Sequence, residues 1–189
     1  MRTTMHDDAM QAQAGSAAAP SAMRLGVLVG TRRWLVDLAE AGEIVPVPAI
    51  APVPLTRPWF RGLANLRGAL YTVVDLAAFA GEAPAAFDKD ARLLALGERL
   101  QFNAALLVSR MLGLRSTAAM RRRPDAAADD AALTDPGAGA VGAAVPGATD
   151  TAAQPAWQGE TWLDEAGAAW HELVLHRLVR DERFLEIGR

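Results

Sequence analysis

The sequence predicts an all-β domain assembled from small barrels. Two observations carry the prediction. The large apolar residues fall into four pairs of short runs, each pair bracketing a turn signal, and no segment sustains a helical period except a short stretch near the end. Closing such hairpins into barrels removes exposed strand edges, and four hairpins suffice for two subdomains. A single two-sheet sandwich satisfies the same periodicity and remains the alternative.

Each element follows from local chemistry. Leu25, Val27 and Val29 alternate, and a turn at Gly30-Thr31-Arg32 leads into Trp34-Leu35-Val36, which makes the first hairpin. Ile44 to Val47 reads as a short strand that Pro46 confines to an edge, because proline has no N–H for a ladder. Pro46, Pro48, Pro52, Pro54 and Pro58 forbid helix and central strand, so an extended, stiff connection leads into Trp59-Phe60. The second hairpin turns within Asn65-Leu66-Arg67-Gly68. Its returning strand sets Leu70, Thr72 and Val74 on one face and Tyr71, Val73 and Asp75 on the other. Asp75 is expected to cap a short segment from Leu76 to Ala80.

Leu93 to Leu96, a turn at Gly97-Glu98-Arg99, and Phe102 to Val108 make the third hairpin. The fourth joins Thr161 to Leu163 with Trp170 to Leu175 around Ala166-Gly167, and its register is open. An even loop sets Trp170 opposite Leu163, an odd one opposite Trp162. A short helix is expected between His176 and Leu185.

Two segments lack large apolar residues. Residues 1–22 are polar and alanine-rich, an expected disordered tail, and about 121–155 reads as a flexible low-complexity insertion in a domain running from 23 to 189. Arg121-Arg122-Arg123 is expected at a solvated loop edge.

Composition narrows the function. With 22 acidic and 19 basic residues the net charge is -3, so no long-range field gathers nucleic acid or anionic lipid. Lys89 is the single lysine, and the absence of cysteine excludes disulfides, thiol catalysis and cysteine-ligated metal. No apolar run is long enough to cross a membrane as a helix, and Met1 to Met23 has no signal-peptide pattern, so a cytoplasmic protein without direct membrane insertion is expected. No G-x-S-x-G, phosphate-binding loop or dinucleotide fingerprint is present. His171 and His176 stand five apart, a spacing that suits neither one helix face nor one strand face. No catalytic residue, cofactor or metal is expected.

Phe60-Arg61-Gly62, Asn65-Leu66-Arg67-Gly68 and Asp75-Leu76, preceded by Glu43-Ile44 and Val53-Pro54, resemble the CheW family of adaptor domains in order and approximate spacing. The resemblance covers about Leu25 to Leu112. It implies two five-stranded SH3-like barrels packed side by side, and a non-catalytic adaptor. Its implied partners are the regulatory domain of a CheA-type histidine kinase and the cytoplasmic tip of a methyl-accepting chemoreceptor, which places the protein at membrane-associated receptor arrays. Past the insertion, Leu175-His176-Arg177-Leu178 stands where family members carry an apolar-Asp-Leu motif. Trp157-Gln158-Gly159, Trp170-His171-Glu172-Leu173 and Phe184-Leu185-Glu186-Ile187-Gly188 look most like the PilI branch, which implies control of type IV pili and twitching motility. Flagellar chemotaxis, or another chemosensory output, is the alternative within the family.

The partner-binding surface is expected around Arg67, with Asn65, Leu66, Gly68, Gly62, Glu43 and Trp59. A guanidinium at a hairpin tip offers five fixed donors to a partner, or pins the turn by pairing with Glu43, and the two roles are compatible. Gly62 and Gly68 suit backbone bends, and Asn65 suits satisfaction of turn amides. From another class, an oligonucleotide-binding barrel would need exposed aromatics interleaved with basic residues. Past Phe60 the central hairpin offers Tyr71 as its one aromatic and Arg67 as its one strand-tip cation.

Overall fold

The computed structural model describes residues 22–85, 87–123 and 154–188. Nearly all of the expected tail and most of the expected insertion therefore lie outside the described residues. Among the described residues eleven strands run in the order β1 Met23–Val29, β2 Arg32–Asp37, β3 Ala41–Pro46, β4 Phe60–Leu66, β5 Ala69–Asp75, β6 Arg92–Leu96, β7 Ala104–Val108, β8 Arg110–Ser116, β9 Arg121–Arg123, β10 Gln158–Leu163 and β11 Ala169–Leu173. Three one-turn helices accompany them: α1 Leu76–Phe79, α2 Leu175–Leu178 and α3 Glu182–Leu185.

The strands form a six-stranded sheet, β8-β1-β2-β11-β10-β9, and a five-stranded sheet, β3-β6-β7-β5-β4. The four expected strand pairs are all present and antiparallel. In the last of them Trp162 faces Trp170, which settles the register on the odd alternative. Pro46 ends β3 at a sheet edge, as a residue without an N–H must.

Both sheets curl. In the five-stranded sheet the chain beyond β3 reaches the opposite edge, where Ala51 and Leu63 exchange backbone hydrogen bonds of 2.8 and 2.9 Å. That bridge closes the sheet into a barrel. In the six-stranded sheet the two edges, β8 and β9, are joined by only residues 117–120, which include a 3-10 turn, so the sheet curls enough to bring the end of β8 near the start of β9, with no pairing between the two strands.

Three features depart from the sequence reading. β8 was not anticipated. Arg121–Arg123, expected at the start of a loop, forms β9 and gives the first sheet a sixth strand. The terminal helix is two helices, because Asp181 starts the chain afresh by accepting a 2.9 Å hydrogen bond from the Arg183 N–H as the cap of α3.

The two barrels share one core. β7 is buried on both faces, which is why Ala104–Val108 reads as an unbroken apolar run. Aromatic rings carry the core from one sheet to the other. Trp34 of β2 meets Trp157 at 5.5 Å, Trp157 meets Phe79 of α1 at 5.9 Å, and Phe79 meets Phe184 of α3 at 5.5 Å. Phe184 then contacts Phe102, ahead of β7, at 6.0 Å. Two parallel pairings tie distant parts of the chain: β11 lies beside β2, and β7 beside β5.

Candidate docking surface at the hairpin tip

The β4–β5 hairpin has Leu66 opposite Ala69, so its loop is the two residues Arg67 and Gly68. Both have positive φ, +50° and +89°, the signature of the type I′ turn whose twist matches that of the flanking strands. Glycine takes this conformation freely, whereas Arg67 is held in it. The Asn65 carboxamide oxygen accepts a 2.7 Å hydrogen bond from the Gly68 N–H and locks the turn.

Glu43 supplies the second restraint. Its carboxylate lies 2.6 Å from the Arg67 guanidinium, and the register of β3 against β6 shifts between Ala41 and Ile44, so Glu43 sits in an irregular edge stretch. The ion pair joins the hairpin tip to the opposite edge strand of the same sheet. Arg67 remains 80% exposed while paired, against 34% for Glu43. The guanidinium thus anchors through one edge and presents the rest of its donors to solvent.

The other expected contact residues separate by position. Asn65 and Gly68 are exposed at the tip beside Arg67. Leu66 turns inward and belongs to the core, so it supports the hairpin and offers no outer surface. Gly62 is also buried. Its φ is +129°, and a Cβ there would lie 2.1 Å from the Ala51 oxygen, so its bare backbone makes the barrel-closing bridge possible. Gly62 thus serves the backbone as expected, and Leu66 and Gly62 both lie beneath the exposed tip. Trp59 stands at the opposite end of the hairpin, about 20 Å of strand away. Its ring stacks on Phe184 at 6.2 Å and meets Phe79 edge-on at 5.2 Å, which makes it part of the aromatic seam.

Asp75 shares that lower end and is fully buried. It caps α1 by accepting from the Ala78 N–H, accepts a second hydrogen bond from the Ala85 N–H at 3.0 Å, and lies 3.7 Å from the Arg61 guanidinium. These commitments make it a structural carboxylate. His171 is buried against Trp34, and its Nδ1 lies 3.2 Å from both the Gln158 amide and the Thr161 hydroxyl. His176 pairs with Glu40, whose carboxylate also accepts from the Leu175 and His176 N–H groups.

Sequence reasoning missed two exposed apolar residues next to the tip. Leu70 is 58% exposed on β5, and Ile44, beside Glu43 on the edge strand, is partly exposed. Alternation placed Leu70 on a face with Thr72 and Val74, but only the barrel's curvature shows that this face runs out into solvent at the tip.

Comparison with known proteins fits this architecture. The CheW-like domain family matches residues 24–139, more than half of the chain. The chain belongs to the CheW-like domain family. Among solved structures, this CheW-like chain is similar to the scaffolding protein TtCheW from Thermoanaerobacter tengcongensis, with a TM-score of 0.57 and 18% identity over 82% of this chain and 89% of that one. At that identity the likeness concerns the fold. Protein PilI of Pseudomonas aeruginosa is 31% identical over 91 residues, covering 48% of this chain and 51% of PilI. The match therefore spans about half the length of that relative.

Proposed function

We propose that this chain is a non-catalytic coupling protein that links chemoreceptors to a CheA-type histidine kinase, with control of type IV pili and twitching motility as its output. The observation that carries the reading is the hairpin tip. A buried, bridged hairpin ends in a mostly exposed arginine whose position is fixed by Glu43 and by the Asn65-locked turn. Such a group meets a partner at little conformational cost, because its backbone is already ordered. Similarity to Protein PilI supports the pilus output, and membership of the CheW-like family supports coupling as the role.

In this reading Arg67, Asn65 and Gly68 form the centre of a receptor-binding surface, with Leu70 and Ile44 as its apolar flank and Glu43 as the positioning residue. The kinase's regulatory domain binds elsewhere on the two barrels. The protein works in the cytoplasm and joins membrane-associated arrays through these partners. Residues 23–189 act as one CheW-like domain, preceded by the tail at 1–22 and interrupted by the low-complexity stretch beyond β9.

The test compares wild type with Arg67→Glu for binding to a receptor signalling tip and, separately, to the kinase regulatory domain. Selective loss of receptor binding in a variant with unchanged circular dichroism supports the assignment. Wild type that binds neither partner overturns it.

A further inference from the structure

We propose that the open edge of β9 is a second docking site, one that takes an extended acidic protein segment as an added strand. Between Ser109 and Arg123 the sequence carries Arg110, Arg115, Arg121, Arg122 and Arg123 and no Asp or Glu. β8 and β9 bring this run to the two edges of the six-stranded sheet. β9 is hydrogen-bonded to β10 along one side, with Arg121, Arg122 and Arg123 opposite Leu163, Trp162 and Thr161. Among the described residues no strand pairs with its other side. An edge without a strand partner leaves its backbone donors and acceptors on that side unpaired by a ladder, which is the template that strand addition uses.

The charges match the same occupant. Arg122 pairs with Glu160 at 2.7 Å, and the pair is exposed enough to exchange partners at little cost. Among the described residues no carboxylate pairs with Arg121 or Arg123. These two project to the same face of β9, about 7 Å apart, the spacing of alternate side chains on an added strand. Alternating carboxylates on the incoming segment meet them while its main chain fills the edge. A long polyanion such as nucleic acid, or an anionic bilayer, would use the charges alone, leave the edge unfilled and face a molecule of net charge -3. The surface is distinct from the hairpin tip and does not depend on the reading given to it.

The test uses the full chain and fluorescence anisotropy of a labelled peptide alternating Glu and Val. The proposal expects saturable binding that weakens with salt. Arg121→Glu with Arg123→Glu should weaken it by about tenfold for each charge-assisted hydrogen bond removed. A peptide N-methylated at alternate amides, with its charges intact, should bind at least about tenfold more weakly by the same conversion. Arg121→Gln with Arg123→Gln serves as a second variant should the Glu pair disturb folding. No binding of the Glu-Val peptide, or equal binding of the N-methylated peptide, would overturn strand addition. Tighter binding of phosphatidylserine vesicles or of a thymidine oligonucleotide would assign the arginines to those ligands instead.

Discussion

Arg67 contributes to the fold mainly through its backbone. An exposed ion pair such as that with Glu43 adds only about 0–1 kcal/mol, whereas a side chain that tolerates positive φ is required for the turn. Arg67→Asn should therefore shift stability by less than about 1 kcal/mol, and Arg67→Val, β-branched at φ +50°, should cost about 1–2 kcal/mol in urea unfolding. Gly62→Ala should cost about 3 kcal/mol or more, since the added carbon meets the Ala51 oxygen at a position that also demands positive φ. Asp164, in the β10–β11 turn, is a pH-dependent residue. Burial pushes its carboxyl upward, but hydrogen bonds from the Trp170 indole and the Ala168 and Ala166 N–H groups, with the Arg33 charge, hold it below its ordinary value of 3.8. A depressed carboxyl stabilises the fold above its unfolded value, and that contribution is lost as pH falls through the folded value. Asp164→Ala should thus cost about 2 kcal/mol at pH 7, and the difference from wild type should shrink below about pH 4 when denaturation is followed against pH.

At the scale of elements, the N-terminal strands need the C-terminal ones. β11 lies parallel to β2, and Trp157, Leu173, Leu175, Leu178 and Phe184 fill the core that the earlier strands leave open. A chain ending at Arg123 should lose cooperative unfolding and bind a hydrophobic dye, and adding a peptide of residues 154–189 should restore the near-ultraviolet signal. What was legible in the sequence follows the same physics. The hairpins at Gly30-Thr31, Asn65 to Gly68, Gly97 to Arg99 and Ala166-Gly167 were readable because turn chemistry and apolar alternation are local. β8 was not, because none of its side chains is buried and its apolar residues do not alternate cleanly with its arginines. β9 is three arginines held in place by backbone pairing to β10, and it carries no hydrophobic signal. The parallel pairings of β2 with β11 and β5 with β7 join residues far apart in sequence, which periodicity does not report. At the tip, Arg67, Asn65 and Gly68 were readable from turn chemistry, whereas the inward Leu66, the buried Gly62 and the exposed Leu70 depend on how the barrel curves.

At the scale of the whole molecule, the aromatic seam from Trp34 through Trp157, Phe79 and Phe184 to Phe102 makes two barrels behave as one body. The proposed coupling role needs this, since a change at one surface reaches a second only if the body between them does not absorb it. Phe184→Ala, which opens the middle of the seam, should cost about 3–5 kcal/mol in chemical denaturation. The proposed function requires one rigid chain to hold receptor and kinase at the same time through separate surfaces. Titration calorimetry of the kinase regulatory domain into this protein, alone and then saturated with a receptor signalling tip, tests it most directly. Simultaneous docking gives binding in both titrations, with stoichiometry unchanged by the receptor tip; competition between the two partners, or absence of binding to either, would contradict it.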